Sequence, residues 1–352
     1  FDQLPSKSPT NPHITKVINN LTKNIPCLFH IFLTSPTNRN WRKIAIHFFI
    51  NAHKSKYTTQ SMNQDTLHRI LFQNAPVKGE LVQLPNTWQT LLSTNQKRNY
   101  PAAVERLLGQ MVAASVLLSA NLKFDGSLIM QIHGDGPIQL LVAECRSDLT
   151  VRATAKLREH ITVTDDMSLQ ELINANGQAH FAITLDPNDK MPGQQPYQGI
   201  VPLDGDTVAE VLMHYMHSSE QLDTHIQLTS THKGCAGLLL QKLPLHGGSN
   251  TDDNVHIWDE LNHIAQTLSD NELLNTPSDT ILHQLFWQYP IEQHTVQDCQ
   301  FGCTCSPAKV SNMITMLGKE EALSMIKNDQ VEVACDFCGQ EYVLNEAQIH
   351  GL

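Results

Sequence analysis

The chain of 352 residues contains no run of 18 apolar residues, so no membrane span is expected. It is short of positive charge, with 24 Lys and Arg against 35 Asp and Glu, a net charge of −11. Coating nucleic acid requires a basic face for the phosphates, and this balance argues against that class of partner. Cysteine is sparse, eight residues in all, too few for a disulfide-built scaffold. No Gly-x-x-x-x-Gly-Lys-Ser/Thr loop follows His133-Gly-Asp-Gly-Pro137, which therefore reads as a turn and not as a phosphate cradle. No Ser-His-Asp set can be nominated, because a triad is defined by geometry. What is present is ordinary globular material. Hydrophobic residues make up 41% and charged residues 17%, enough for a packed core. The length suits about two domains at ~100–200 residues each.

Charge is unevenly spread. Residues 1–61 hold eight basic residues and a single acid, Asp2, for +7; the rest has sixteen basic residues against thirty-four acids, or −18. The first stretch is rich in Asn, Thr, Ser and Pro and shows no sustained period. Arg42-Lys43 before Ile44–Ile50 faintly resembles a signal peptide but lies deep in the chain, and an acid-poor basic leader could also be an organelle transit peptide. The preferred reading is a disordered upstream extension, with Met62 the true start.

From Asp65 to Leu84 the pattern predicts a short helix (Leu67, Ile70, Leu71) and then a strand around 77–84. Tyr100-Pro101 opens the strongest helix: Val104, Leu107, Leu108, Met111, Val112, Ser115, Leu118 and Leu122 recur at three- and four-residue spacing. It is predicted to be central and buried. Strands are expected at 127–133, 139–144, 150–156, 179–185 and 197–202, a helix at 207–218, and a hairpin from 226–231 and 236–243. This makes an α+β domain, 62–245. A linker, 246–298, starts with Gly, Ser and Asp and continues as amphipathic helices at 255–268 and 271–289, closed by Pro290. Leu261, Ile264, Ala265 and Leu268 form one stripe; Ile281, Leu282, Leu285 and Phe286 form another. Helices so apolar must lie on something.

The chemistry sits in the remaining segment, 299–352. Cys303-Thr-Cys305 and Cys335-Asp-Phe-Cys338 are two close pairs separated by 29 residues. Four thiolates in two pairs suit a tetrahedral site for a soft or borderline divalent metal, with zinc the leading candidate. Four protein ligands leave no open position, which disfavours a hydrolytic zinc enzyme. Gly339 follows the second pair, where a knuckle turn needs room. The plain reading is a static zinc ribbon. Two details pull away from it: Cys-x-Cys is a tight first pair, and three Lys against seven acids make this segment −4, wrong for a nucleic-acid ribbon. Cys299 could compete as a ligand but reads as a bystander. Cys145 and Cys235 read as inert core residues, Cys27 has no assigned role, and His350 is not needed once four cysteines complete the shell.

Phe301-Gly-Cys-Thr-Cys-Ser306 and Cys335-Asp-Phe-Cys-Gly-Gln-Glu-Tyr342 resemble the C-terminus of the redox-regulated thirty-three-kilodalton heat-shock chaperone family. Leu67-His-Arg-Ile-Leu-Phe72, Leu122-Lys-Phe-Asp-Gly126, Gly134-Asp-Gly-Pro137, Tyr197-Gln-Gly199, Leu203-Asp-Gly-Asp-Thr207, Ser219-Glu-Gln-Leu222 and 236–241 resemble family segments in family order, from about Met62 to Leu352. The resemblance implies a cytoplasmic, ATP-independent holdase of the oxidative stress response, not an enzyme. It implies one zinc per chain in the reduced, inactive form, held by Cys303, Cys305, Cys335 and Cys338. Oxidation is expected to give the disulfides Cys303–Cys305 and Cys335–Cys338, release zinc, unfold the tail and linker, and expose surface for unfolded client proteins. The active form is expected to be a homodimer that hands clients to ATP-dependent foldase chaperones for refolding. The alternatives are a zinc-ribbon interaction module without redox switching and an enzyme built on the sheet domain.

Overall fold

Two largely antiparallel sheets, neither in simple sequential strand order, form the frame of the fold, which we describe from a computed structural model. It describes residues 64–94, 99–121, 123–190, 195–244, 252–326 and 330–350. The expectations for segment 1–61, Met62 and Cys27 lie outside the described residues. Ser61–Leu352 forms one compact unit.

The first sheet contains β1 (Thr66–Phe72), β2 (Val77–Leu84), β8 (Thr224–Thr231) and β9 (Gly234–Lys242), in the order β1-β2-β9-β8. Both of its faces are buried. Leu67, Val82, Leu84, Cys235 and Leu239 face one core, while Ile70, Phe72, Val77, Leu81, Ala236, Leu238 and Leu240 face another. That double burial explains why β1 is a strand where a helix is expected. With apolar residues on both faces, the spacing of Leu67, Ile70 and Leu71 imitates a helical stripe.

The second sheet runs β5-β4-β3-β6-β7, from β3 (Gly126–His133), β4 (Ile138–Arg146), β5 (Thr150–Leu157), β6 (His180–Pro187) and β7 (Tyr197–Val201). These strands fall where the sequence pattern puts them. Gly134–Pro137 is the β3–β4 turn, and Arg158 ties it down by donating to the carbonyls of Gly134 and Gly136 at 2.8 and 3.0 Å.

Helix α1 (Pro85–Thr94) and helix α2 (Ala102–Ser119) follow β2. α2 packs on β2, β8 and β9 on one side and on β3, β4 and β5 on the other, so it is the central layer between the sheets. It is the one described helix long and apolar enough to cross a membrane, and here most of it is buried inside the protein. α1 starts with Pro85 at its first position, where the fixed φ suits a helix and the missing N–H costs nothing. Its cap comes from Asp65, whose carboxylate accepts from Asn86 N at 2.8 Å, Thr87 N at 2.6 Å and Thr87 Oγ1 at 2.7 Å. Two further helices, α3 (Leu169–Ile173) and α4 (Val208–Ser218), complete this part.

The expected linker helices are α5 (Asp252–Gln266), α6 (Asp270–Asn275) and α7 (Ser278–Phe286). The single helix expected over 271–289 is broken because Thr276 precedes Pro277 and is extended, at φ −102 and ψ 137. These helices cover the outer face of the first sheet. Trp258, Leu261, Ala265, Leu268, Leu273, Ile281, Leu282 and Phe286 are buried against it, with Phe72 and Phe286 edge to face at 5.1 Å. Three short strands then cross from one sheet to the other. β10 (Ile291–Gln293) and β11 (Gln297–Asp298) pair with β1, and β12 (Gln300–Phe301) pairs with β5 in parallel. Strands of two or three residues carry no readable period, and the sequence does not announce them.

Candidate metal centre

The tail is built from α8 (Pro307–Leu317), α9 (Lys319–Ser324), the hairpin β13 (Gln330–Ala334) and β14 (Glu341–Asn345), and α10 (Glu346–His350). Among the described residues its own core is six buried side chains: Val310, Ile314, Ala322, Val331, Leu344 and Ile349. Such a core is too small to order a segment of this length unaided.

Two knuckles meet at its edge. The first follows β12. Gly302 N donates to Val151 O at 3.0 Å, and a Cβ on Gly302 would lie 2.5 Å from Thr150 Cγ2, so any other residue here would force Thr150 to shift. Cys303 and Cys305 come next, and Ser306 then caps α8 by accepting from Lys309 N. The second knuckle is the β13–β14 turn. Cys335 N donates to Gln340 O at 2.9 Å and Gly339 N to Cys335 O at 2.8 Å. Gly339 has φ 70, which is why glycine follows the second pair.

The ligand atoms of Cys303, Cys305, Cys335 and Cys338 all lie within 4.8 Å of one another, half-buried. Across the knuckles, Cys303 and Cys335 Sγ are 3.6 Å apart, and Cys305 and Cys338 Sγ 3.4 Å. A tetrahedral ion with bonds of about 2.3 Å to sulfur needs sulfurs about 3.8 Å apart, so these four residues fit such a group. Burial, ahead of the neighbouring sulfurs, pushes the Cys338 thiol up. The Tyr342 hydroxyl donates to Cys305 Sγ at 3.1 Å, which pushes its own pKa up to about 12. Every sequence-nominated site cysteine is therefore in one cluster.

Cys299 is not in it. It is 5% exposed, in the core that also contains Cys145 and Cys235. Burial pushes all three thiols up, Cys145 to about 12. The His350 side chain lies outside the described residues.

Sequence reasoning missed Arg152, on β5. Its Nη1 donates to Thr304 Oγ1 at 3.1 Å and its Cζ lies 4.3 Å from the centre of the Phe337 ring. Burial disfavours its charge, but the Glu144 carboxylate and then the Cys303 sulfur outweigh burial, and its pKa is raised. No local pattern could have pointed to a strand residue far from the cysteines in sequence.

The fold and site define an α+β protein of two sheets around a central helix, with a helical cover and a tail closed by a four-cysteine centre able to hold a metal ion. A family model described as Hsp33 protein matches residues 65–345, and the chain belongs to that family. A 33 kDa chaperonin of Chromobacterium violaceum is 43% identical over 291 residues, 82% of this chain and 94% of that protein. A 33 kDa chaperonin of Neisseria meningitidis serogroup A is 42% identical over 289 residues, 82% and 91% of the two chains. The solved 33 kDa chaperonin of Thermotoga maritima has the same fold, with a TM-score of 0.66 at 19% identity, over 82% of this chain and 97% of that one.

Proposed function

We propose that this protein is a redox-regulated, ATP-independent holdase that captures unfolding proteins under oxidative stress and has no catalytic site. The observation that carries the reading is the pairing of a four-sulfur cluster with a tail core of six buried side chains among the described residues. The relatives' printed name, 33 kDa chaperonin, supports the chaperone part.

When bound, one zinc per chain supplies a cross-link worth on the order of 10–16 kcal/mol to a domain of this kind and keeps the sulfurs as thiolates. One hydrogen peroxide takes two electrons from each pair of thiolates, its O–O bond breaks, and with two protons from solvent it leaves as two waters while the S–S bond of the disulfide forms. The disulfides proposed, on family resemblance, are Cys303–Cys305 and Cys335–Cys338. They close tiny loops and stabilise about 2 kcal/mol less than a loop of some thirty residues, and they join nothing distant. The two knuckles part, zinc is released, and the tail loses its staple.

The linker is coupled to that event through β12, β11 and β10, which run in one stretch from the first knuckle to α7. Its release bares Leu261, Leu268, Ile281 and Phe286, together with the sheet face of Phe72, Leu81, Leu238 and Leu240 that they cover. This paired apolar surface is the proposed client site. The oxidised form is proposed to dimerise, to work in the cytoplasm, and to pass clients to ATP-dependent foldases.

The test is peroxide with mild heat, following zinc with a chelating dye and aggregation of an unfolding client by light scattering. Release of one zinc together with suppression of aggregation is expected. Equal suppression by the reduced, zinc-loaded protein would overturn the redox reading and leave a static zinc-ribbon interaction module.

A further inference from the structure

Arg152 touches both knuckles at once. Glu144, on the neighbouring strand β4, accepts from its Nε at 2.9 Å and its Nη2 at 2.5 Å, which fixes the plane of the guanidinium. The pair is largely buried, with 19% of the arginine side chain and 9% of the glutamate exposed. What remains free is one edge and one face. The edge donates to Thr304, the residue between Cys303 and Cys305. The face stacks on Phe337, which lies between Cys335 and Cys338. Thr304 also accepts from Lys309 Nζ at 3.0 Å, so its hydroxyl is oriented from the α8 side as well. One rigid group on the second sheet therefore meets the middle of each knuckle, and it can do so only while the two knuckles are together.

We propose that Arg152 is the positioning residue that couples the metal centre to the sheet body: it docks the joined knuckles on β5 and lets go when they separate. The coupling runs through β12. Gln300 N donates to Leu149 O at 3.3 Å and Gly302 N to Val151 O at 3.0 Å, on either side of the strand residue that carries the pairing into the first knuckle. With the knuckles docked, β12 is held on β5. With them apart, Thr304 and Phe337 no longer share a partner, and β12 is left with a two-residue pairing. The next residues back, β11 and β10, lead into the linker helices. This inference rests on the switch proposed above for its purpose, but the docking itself depends only on whether the knuckles are joined.

The measurement is amide hydrogen exchange at Gln300 and Gly302 in the full-length protein, loaded with zinc and reduced. In the wild type, stripping zinc with a chelator is expected to speed exchange there at least tenfold. Arg152→Gln is expected to show that fast exchange with zinc still bound, with β3 and β6 as protected as in the wild type. Arg152→Lys keeps the charge but loses the planar fork, and is expected to fall between the two. Thr304→Val with Phe337→Leu removes the contacts from the knuckle side and leaves the Arg152–Glu144 pair alone. It is expected to match Arg152→Gln, and it decides the question if Arg152→Gln does not fold. The proposal is overturned if β12 stays protected in the zinc-loaded variants, or if exchange rises equally throughout the second sheet. A parallel peroxide arm on the wild type separates the two ideas. No zinc release there would sink the redox reading, while the chelator comparison would still judge the docking role.

Discussion

Cys299 and Cys303 stand four residues apart and have opposite fates. Cys299 N donates to Asp65 O at 2.9 Å, and its side chain turns into the core between the sheets; Cys303 lies beyond β12, out in the cluster. Cys299→Ala is expected to keep one zinc per chain and cost about 1 kcal/mol of stability, as a small core truncation does, measured by metal analysis and denaturant unfolding. Loss of zinc in that variant would return Cys299 to the ligand set. Cys335→Ser removes one of four donors. Zinc content is expected to fall well below one per chain, and residues 303–344 to lose exchange protection even when reduced. A fully loaded, protected Cys335→Ser protein would show that the cluster is not what orders the tail. The four site cysteines were legible because a ligand pair is a local spacing. Arg152 was not, because its partners are brought to it by strand pairing.

The linker helices are held by more than apolar burial. Gln83 Nε2 donates to Leu273 O at 2.7 Å and Thr276 O at 2.8 Å, Ser278 Oγ donates to Gln83 Oε1 at 2.8 Å, and Gln227 Nε2 donates to Leu268 O at 2.8 Å. Leu261 is fully buried between α5 and the sheet. Leu261→Ala is expected to weaken docking by about 2–5 kcal/mol and to give measurable aggregation suppression without oxidant. A variant as silent as the reduced wild type would separate linker release from activation. Two imidazoles lie on the covered sheet. His68 faces Asp279 of α7 at 3.5 Å, and His225 faces Asn262 of α5; Nε2 of both has no hydrogen-bond partner among the described residues. Burial lowers both pKa values from 6.5, with Asp279 and Asn262 opposing it. On undocking the imidazoles regain the ordinary value and take up protons below it. Docking is therefore at full strength above about pH 6.5 and weakens as pH falls toward the lowered values. Hydrogen exchange over 257–286, corrected for intrinsic rate, is expected to quicken between about pH 7.5 and about pH 5.5. An unchanged corrected rate would rule this out. The helices were legible from their stripes, but what they cover was not. A stripe records that a face is buried and not which face buries it.

For the molecule as a whole, the sulfur contacts of 3.6 and 3.4 Å run across the knuckles, whereas the proposed disulfides run within them. Which pairing forms decides whether oxidation opens the tail. Bridges from 303 to 335 and from 305 to 338 would replace the metal with a covalent staple; bridges from 303 to 305 and from 335 to 338 would abolish the connection. Peptide mapping after peroxide is expected to recover only the local pairs, with loss of protection from the tail back through the linker. Recovery of the crossed pairs, with a protected tail, would end the case for unfolding. The same scale governs the sheets. The second sheet was read nearly strand for strand because its turns are marked by Gly, Asp and Pro. In the first sheet β1 was misread because both of its faces are covered, and that follows from a layer order no local window contains.

The four-cysteine centre, the central helix α2, most strands of the second sheet and the amphipathic character of the linker can be read from residue order alone. Each is a property of spacing within a short window. It takes the folded chain to show that β1 is a strand, that Asp65 caps α1, that Cys299 is buried, that the linker covers the first sheet, and that Arg152 reaches both knuckles. These are contacts between distant segments, and they exist because burial and hydrogen bonding must be satisfied over the whole molecule at once.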